Sequence, residues 1–309
     1  MKYMMERKVY DILERRQSRL AYFLRVGVDS SDVEETGGFH APIFDDKTFE
    51  FIPVPAAKGR SNCSDKEYCE HNFCYEMTFG NTCDRTDLPF VDYSNFRKNR
   101  QLLSNFPIHV DPDFKRATYG DIVKHERWIE KAHKLEYLRN GDFLVFCAAL
   151  DPWGKSKQKR GLYVVGFFEV SKVHSFRGKS KPEKMSMFKA LDNLNSHTTN
   201  VNKSNMRDDH RDNLVVVEGK KKKSSLLKEP MLITCRVYTP RMISDYLISR
   251  NAHEKFGLRF DYFTRGGKLA PDVAVCPENE WDKYIKNLEE ELSQRDWYVQ
   301  NLHRVKTNN

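Results

Sequence analysis

Two apolar segments on either side of one polar loop constrain the fold of this chain more than any other feature. Residues 143–150 and 162–170 are nearly continuous in aliphatic and aromatic side chains, and a glycine, Gly141 or Gly161, comes shortly before each. Apolar runs of this length, bounded by turn residues, are typical of buried strands. The segment between them, residues 151–160, is polar and basic. We therefore predict a buried β-hairpin at the centre of the fold.

The composition indicates a globular protein with a strongly charged surface. The 309 residues are 39% hydrophobic and 31% charged, and the formal net charge is +8. An excess of positive charge suits a polyanionic partner, and nucleic acid is the obvious one. No apolar run approaches the roughly 18 residues that a membrane span needs, and the N-terminus does not resemble a signal peptide. We therefore expect a cytoplasmic protein whose seven cysteines stay reduced.

Hydrophobic periodicity around the hairpin predicts a single mixed α+β domain. It would be built on a curved, mostly antiparallel sheet with helices packed outside. An N-terminal helix (residues 1–20) would precede the domain (residues 21–309), which would contain a cysteine-rich excursion (56–105) and a basic polar insert (174–230). We predict further helices at residues 119–139, 184–194, 242–247 and 278–299, strands at 22–28, 48–55 and 231–238, and a hairpin turning at the lysines 220–223.

Four cysteines lie close together in the irregular segment 56–105: Cys63, Cys69, Cys74 and Cys83. Four thiolates can hold a structural zinc ion tetrahedrally, and such a site would order a segment that has little periodic structure. The spacing lacks the paired Cys-x-x-Cys of zinc ribbons. Four unligated cysteines are therefore the simpler interpretation, and structural zinc is the alternative.

Several polar residues that could carry chemistry lie at or near the ends of the predicted strands. They are Arg25, Asp29, His40, His109, Asp111 and Asp113. Loops at strand ends are where a rigid scaffold presents catalytic groups. A histidine with two carboxylates suits general acid–base catalysis or a divalent metal ion. Taken singly, however, each of these residues also suits a turn or a helix cap.

The hairpin loop contains an aromatic residue among basic ones: Trp153, Lys155, Lys157 and Arg160. Lysine and arginine can contact phosphates, as could the four lysines at 220–223, and a tryptophan can stack on an exposed base. The alternative is a solvated loop whose tryptophan folds onto the core. Motifs for nucleotide hydrolysis, dinucleotide binding, serine hydrolases and zinc proteases are absent from the sequence. The segment 169–172 is one residue too long for a restriction-nuclease signature.

The order of the motifs carries more information than any one of them. Residues 25–31 read Arg-Val-Gly-Val-Asp-Ser-Ser, residues 109–113 read His-Val-Asp-Pro-Asp, and residues 141–146 read Gly-Asp-Phe-Leu-Val-Phe. Together with Gly-Gly-x-x-Ala-Pro-Ile at 37–43 and Pro-Val-Pro at 53–55, this order resembles the third nucleotide modification associated domain family. The central hairpin also resembles the core of PUA-like barrels of the ASCH and EVE type.

The resemblance implies the kind of biological system in which the protein works more firmly than it implies a reaction. The family accompanies systems that modify DNA bases, often in phages and mobile elements of prokaryotes. The polar residues and the glycines of the family's motifs correspond here to Arg25, Asp29, Gly37, Gly38, His109, Asp111 and Asp113. Ala41 stands where the family usually has serine, and the cysteine-rich and basic segments are departures from its pattern.

We therefore expect a component of a DNA base-modification system that acts on a modified base or nucleotide. In the catalytic version, His109 moves a proton, Asp29, Asp111 and Asp113 orient it or hold a divalent metal, and Arg25 positions a phosphate. The alternative is a non-catalytic reader of the PUA or EVE type that holds a base near Trp153. A defence nuclease and a structural adaptor are further alternatives. DNA, modified nucleotides and other proteins of a modification operon are the expected partners.

Overall fold

The structure is a computed structural model of the chain. It describes residues 19–27, 41–51, 111–122, 134–191, 195, 197–198, 213–238, 244–256 and 281–293, and eight two-residue strands elsewhere. The longer strands are β1 (Ala21–Arg25), β2 (Ala41–Ile43), β8 (Thr118–Ile122), β9 (Phe143–Pro152), β10 (Gly161–Ser175), β11 (Leu214–Leu232), β12 (Thr234–Tyr238) and β13 (Ser244–Ile248). The two-residue strands are β3 (Val54–Pro55), β4 (Thr82–Cys83), β5 (Arg97–Lys98), β6 (Gln101–Leu102), β7 (Ile108–His109), β14 (Tyr262–Phe263), β15 (Trp297–Tyr298) and β16 (Arg304–Val305). The described helices are α1 (Lys181–Ala190), α2 (Arg250–Phe256) and α3 (Trp281–Ser293).

A mixed seven-stranded sheet forms the body of this single domain. Its strand order is β1-β9-β10-β11-β15, with β2 beside β1 on β9 and β8 on the far edge of β11. β1 and β2 run parallel to β9, and the other pairs are antiparallel. The central hairpin predicted from the sequence is confirmed as β9 and β10. Among the described strands no pair joins the two ends of this path, so the sheet is open and the PUA-like barrel stays a prediction.

The sheet is curved, as its aromatic contacts show. The rings of Tyr119 on β8 and Phe146 on β9 lie 5.7 Å apart although β10 and β11 separate these strands in the sheet. We call the face that carries these two rings the concave face. Successive side chains of a strand point to opposite faces, so β9 fills both: Leu144 and Phe146 join the concave core, whereas Phe143 and Val145 face the convex side.

Three helices cover the two ends of the convex face. Helix α3 contributes Ile285, Leu288 and Leu292 to a cluster with β1, β9 and β10, and α2 adds Ala252 and Phe256. The spacing of the α3 residues is helical, and the predicted C-terminal helix is confirmed over a shorter range that ends before β15. Helix α1 covers the other end, where Phe188 packs with Phe176 and with the first residues of β11.

One buried carboxylate fastens β1 to the hairpin. Asp142 is 1% exposed, and it accepts hydrogen bonds from the backbone N–H groups of Leu20 at 2.9 Å and Arg139 at 2.5 Å. Gly141, with φ +91°, makes the turn in a conformation that favours glycine. Its N–H donates to the Val170 carbonyl at 2.9 Å. The Gly-Asp motif therefore joins three segments and has a structural role here.

Three secondary-structure predictions are wrong, and pairing with neighbouring strands explains each. Residues 119–122, the first four of the helix predicted at 119–139, belong to β8 instead, because residues 118–122 pair with residues 214–218 of β11. Residues 244–248 overlap a predicted helix but form β13, which pairs with β12. The predicted hairpin at 220–223 lies within one long strand, β11, which pairs with β10 on both sides of these residues. Strand pairing outweighs local propensity in all three cases.

Other predictions lie partly or wholly outside the described residues. The N-terminal helix does so up to residue 18, as does most of the cysteine-rich excursion.

Helix α1 corresponds to the helix predicted at 184–194 but begins three residues earlier, at a Ser180–Glu183 capping box. None of the described helices is long and apolar enough to cross a membrane.

Candidate functional site

The predicted motif at residues 109–113 leads into a tightly fixed turn. The Asp113 N–H donates to the Thr118 carbonyl at 2.8 Å, and the Thr118 N–H donates back to the Asp113 carbonyl at 3.1 Å. Phe114, within this turn, packs its ring edge-to-face against Phe146 and Phe168, with centroid distances of 5.4 and 5.6 Å. The turn is therefore anchored in the concave core, and the residues on either side of it have defined positions.

Asp111 stands at the start of this turn and collects polar partners from two other segments. Its side chain is only 4% exposed. Its carboxylate accepts from the Gly120 N–H, with distances of 3.0 and 3.2 Å to the two oxygens, and from Asn195 Nδ2 at 3.1 Å. Nε2 of His197 lies 3.3 Å from Oδ2. A buried carboxylate thus has a histidine directly beside it.

A compact turn after helix α1 positions this histidine. The His197 N–H donates to Asn195 Oδ1 at 2.9 Å, and the Thr198 hydroxyl donates to the Leu191 carbonyl at 2.6 Å. Asn195 and Thr198 are buried, whereas the His197 side chain is 20% exposed. The ring therefore touches a buried carboxylate on one side and reaches solvent with the remainder.

Glycine at position 120 makes this approach possible. A Cβ atom built there would lie 2.7 Å from both Asn195 Oδ1 and His197 Cδ2, which is closer than a real Cβ tolerates. The side chains of Asn195 and His197 therefore pack directly on the β8 backbone. Because Tyr119 points into the concave core, the alternation of the strand puts this contact on the convex face.

A second histidine–carboxylate pair lies on the same face, one strand away. Glu218 is the register partner of Thr118 on β8 and of Lys172 on β10, and neighbouring strands are about 4.8 Å apart. His174 Nε2 lies 3.0 Å from Glu218 Oε1. This hydrogen bond, acting against the effect of burial, holds the pKa of Glu218 below its usual value. The polar residues of the two pairs form one band between the apolar clusters under α1 and α3.

Tyr119, by contrast, is unsuited to proton transfer. Burial raises the pKa of its phenol well above the ordinary value, and the nearby carboxylates of Asp121 and Asp111 add to that effect. The phenol donates a hydrogen bond to Asp121 at 3.3 Å and remains protonated. Of Tyr119 and His197, the imidazole of His197 is therefore the group that is suited to proton transfer and reaches solvent.

The other predicted catalytic residues have different surroundings. Asp113 accepts from the Arg116 N–H at 2.9 Å and from its guanidinium at 2.7 Å, so it forms the turn. His109 contributes backbone to β7, which pairs with β3, and its side chain lies outside the described residues. Asp29 and His40 lie outside them entirely. Arg25 ends β1 in register with Cys147.

The hairpin loop is docked on the turn after β2. The Trp153 N–H donates to the Ile43 carbonyl at 3.0 Å, and the Lys157 N–H donates to Asp45 Oδ1 at 3.0 Å. Arg160 is paired with Asp151 at the base of the loop. The predicted binding residues Trp153, Lys155, Lys157 and Arg160 thus share one ordered loop, in which the two lysines are exposed and Trp153 is 36% exposed.

No described group of three or more histidine, cysteine or acidic residues is arranged to hold a metal ion. Cys63, Cys69 and Cys74 fall outside the described residues, and Cys83 is described only as backbone in β4. The structural zinc and the divalent metal therefore stay predictions.

Comparison with known protein families identifies the chain. Residues 21–241 match the model of the nucleotide modification associated domain 3 family. The chain belongs to this family. The match runs from β1 through the end of β12, and thus contains the Asp111 turn, the central hairpin and the whole of β11. No curated protein and no solved structure matches the chain.

Membership associates the protein with nucleotide modification systems and confirms the resemblance drawn from the motifs. Asn195 and His197 also lie within the matched residues, although they fall in the segment that the sequence analysis treated as a polar insert. The family region therefore includes Gly120, Asn195 and His197, the contacts of the Asp111 carboxylate described above.

Proposed function

We propose that the protein acts on a modified base or nucleotide within a DNA base-modification system, with His197 as its proton-transfer group. The observation that carries this proposal is the position of His197 Nε2, 3.3 Å from a carboxylate that is 4% exposed. A histidine oriented by a buried acid is a recurring solution for general acid–base chemistry near neutral pH.

The roles of the two residues follow from this geometry. With a proton on Nε2 facing Asp111, Nδ1 carries the lone pair that would accept a proton from a substrate hydroxyl, amine or water. The Asp111 charge then stabilises the imidazolium, as the acid of a catalytic triad does. Asp111 is a positioning residue in this account, because its oxygens already accept from Gly120 and Asn195. His109, two residues earlier, is a second candidate for the proton-transfer role.

The experiment compares turnover by matched histidine variants. Purified protein is incubated with unmodified DNA, modified DNA and free modified nucleotides, and the nucleosides are analysed by mass spectrometry. We expect a mass change with the wild type and its loss, by about 10²–10⁴-fold in rate, in His197→Gln. His253→Gln on α2, at the other end of the convex face, is the matched control and should retain the rate.

Two outcomes would count against the catalytic proposal. One is a mass change that survives His197→Gln in full, which would move the chemistry to other residues such as His109. The other is the absence of any mass change by wild-type protein that nevertheless retains modified DNA selectively. The second result would favour a reader.

The reader is the second candidate, and the hairpin loop supports it. Trp153 is one of two large hydrophobic side chains that are exposed among the described residues, and Lys155 and Lys157 are exposed beside it. Base–aromatic stacking contributes about 1–3 kcal/mol per base. If the protein is a reader, Trp153→Ala should weaken modification-dependent binding by roughly 5- to 150-fold in an anisotropy titration. Met185→Ala, the other exposed hydrophobic side chain, serves as control.

A further inference from the structure

The four lysines at 220–223 form a bulge in the middle of β11. Val170 pairs with Gly219, and Phe168 pairs with Ser224. Between these pairs β10 advances two residues while β11 advances five, so three residues of β11 are in excess. A bulge of this kind bends the strand and projects its extra residues from the sheet. We call residues 220–223 the basic arch.

A single acidic residue holds both ends of this arch. Glu169, on β10, is 7% exposed at its side chain, and its carboxylate bonds to Lys220 Nζ and lies 3.1 Å from Lys223 Nζ. Burial alone would raise the pKa of Glu169, but the hydrogen bonds from the two ammonium groups outweigh that effect and hold the pKa below its usual value. The carboxylate is therefore charged at neutral pH and acts as a fixed staple.

The two lysines between the stapled ends are presented to solvent. Lys221 and Lys222 are exposed. No ion pair within 4 Å joins either of them to an acidic group among the described residues, although Glu218 interacts electrostatically with Lys221. Lys172, the register partner of Glu218, is exposed on the adjacent strand. Glu169 and Glu218 together offset two of the five lysine charges of the arch and Lys172, so a net positive surface remains beside the band that contains His197.

We infer that the basic arch binds the phosphate backbone of DNA through Lys221 and Lys222. Polyanion backbones are bound by clustered lysines whose charge is not already neutralised within the protein. The arch directly follows Gly219, whose N–H donates to the carbonyl of Ala117, the residue before β8 in the turn that follows Asp111. DNA held there would lie near the candidate site. This inference concerns docking alone and does not depend on catalysis by His197.

Protection of a sheet edge is the competing explanation for the lysines. β8 covers β11 at residues 214–218 and β15 covers it at 226–227, and no described strand pairs with the outer edge between them. Lysines on such an edge discourage pairing with other chains. β-Bulges can also protect an edge, so the bulge fits both explanations. Edge protection, however, predicts no salt-dependent affinity for DNA.

The test measures how DNA affinity depends on salt. Binding of an end-labelled, unmodified 20-base-pair duplex is followed by fluorescence anisotropy between 50 and 200 mM NaCl. The proteins are the wild type, the Lys221→Gln/Lys222→Gln double variant, and a control with the same charge change, Lys283→Gln/Lys286→Gln on α3. The variants change exposed side chains, so thermal melts should confirm that all three proteins are folded.

Each phosphate contact contributes about 0.9 to the slope of log K against log [NaCl]. We therefore expect the slope of the double variant to be smaller in magnitude by about 1.8 than that of the wild type. The ratio of wild-type to double-variant affinity should then be roughly tenfold smaller at 200 mM than at 50 mM NaCl. The control should keep the wild-type slope. Equal slopes for both double variants would overturn the inference. So would a wild type that binds vesicles of phosphatidylglycerol but not DNA, or double-variant protein that only aggregates faster.

Discussion

Asp142 is the residue whose replacement should most clearly separate a structural role from a catalytic one. The family motif Gly-Asp makes it resemble a site residue, but its carboxylate accepts the N–H groups of Leu20 and Arg139. The Leu20 N–H is buried, and an unsatisfied buried donor costs about 1–3 kcal/mol. Hydrogen bonds to charged groups contribute about 1.5–3 kcal/mol each. We expect Asp142→Asn, which keeps one acceptor, to lower the free energy of unfolding by about 1.5–3 kcal/mol.

Removing both acceptors should cost more, so Asp142→Ala should lose about 3–5 kcal/mol. The assay is urea unfolding followed by tryptophan fluorescence, with Asp45→Asn as matched control. Asp45 also accepts one backbone N–H, from Lys157, but at an exposed position where water can replace it. The control should lose less than about 0.5 kcal/mol. Equal losses in Asp142→Asn and Asp45→Asn would refute the reasoning, and a stable Asp142→Asn protein without activity would indicate catalysis instead.

Three further predictions concern other parts of the fold. In Gly166→Ala the new Cβ would lie 2.8 Å from the Ser225 carbonyl oxygen, which belongs to the backbone of β11, so we expect a loss of about 1–3 kcal/mol in urea unfolding. Gly120→Ala should displace the His197 ring and reduce turnover as His197→Gln does, with circular dichroism showing a folded protein; wild-type turnover would contradict the proposed site. The lowered pKa of Glu169 means that its contribution to stability is present above the pKa of an unfolded glutamate and is lost as the pH falls through the lower folded value. The urea midpoint of Glu169→Gln should therefore fall less steeply than that of the wild type between pH 6 and pH 3, and parallel curves would contradict this assignment.

The centre of the fold could be predicted because its signal is local. Residues 143–150 and 162–170 are apolar on both faces, and both faces of β9 and β10 are indeed buried. Of the two glycines that precede these runs, Gly141 makes a turn with positive φ, whereas Gly161 does not have a positive φ. A strand that is buried on both faces can be recognised from its own continuous run of apolar residues, without knowledge of the strands that pair with it. The central hairpin could therefore be predicted from the sequence alone.

The edges of the sheet could not be predicted in this way. Ile122 lies within the helix predicted at 119–139, yet it belongs to β8. There it pairs with Leu214 of β11, which is almost a hundred residues further along the chain. The lysines at 220–223 looked like a turn because they interrupt two apolar runs. Glu169 instead lets β11 carry them as a bulge, and a contact between residues 51 apart leaves no trace in local periodicity.

Half of the candidate site was visible in the sequence. Asp111 was singled out by its motif, but the expected partner was His109, and the structure brings His197 to the carboxylate. The segment around His197 was judged by its polar composition alone. The one local signal was the sequence Asn-Ser-His-Thr directly after a helix, since asparagine and threonine often fix such turns through side-chain hydrogen bonds. That signal indicates an ordered turn but not its target.

The most direct test of the account is the pH dependence of turnover in wild type and Asp111→Asn, measured as nucleoside mass change on modified DNA or nucleotide. If His197 is the base and Asp111 orients it, the wild-type rate should rise with pH to a plateau, because a general base must lose its proton before it can act. The asparagine variant should then lose rate and shift the midpoint of this rise downward, because the imidazolium loses its neighbouring negative charge. An unchanged profile in Asp111→Asn, together with an unchanged rate, would contradict the central claim.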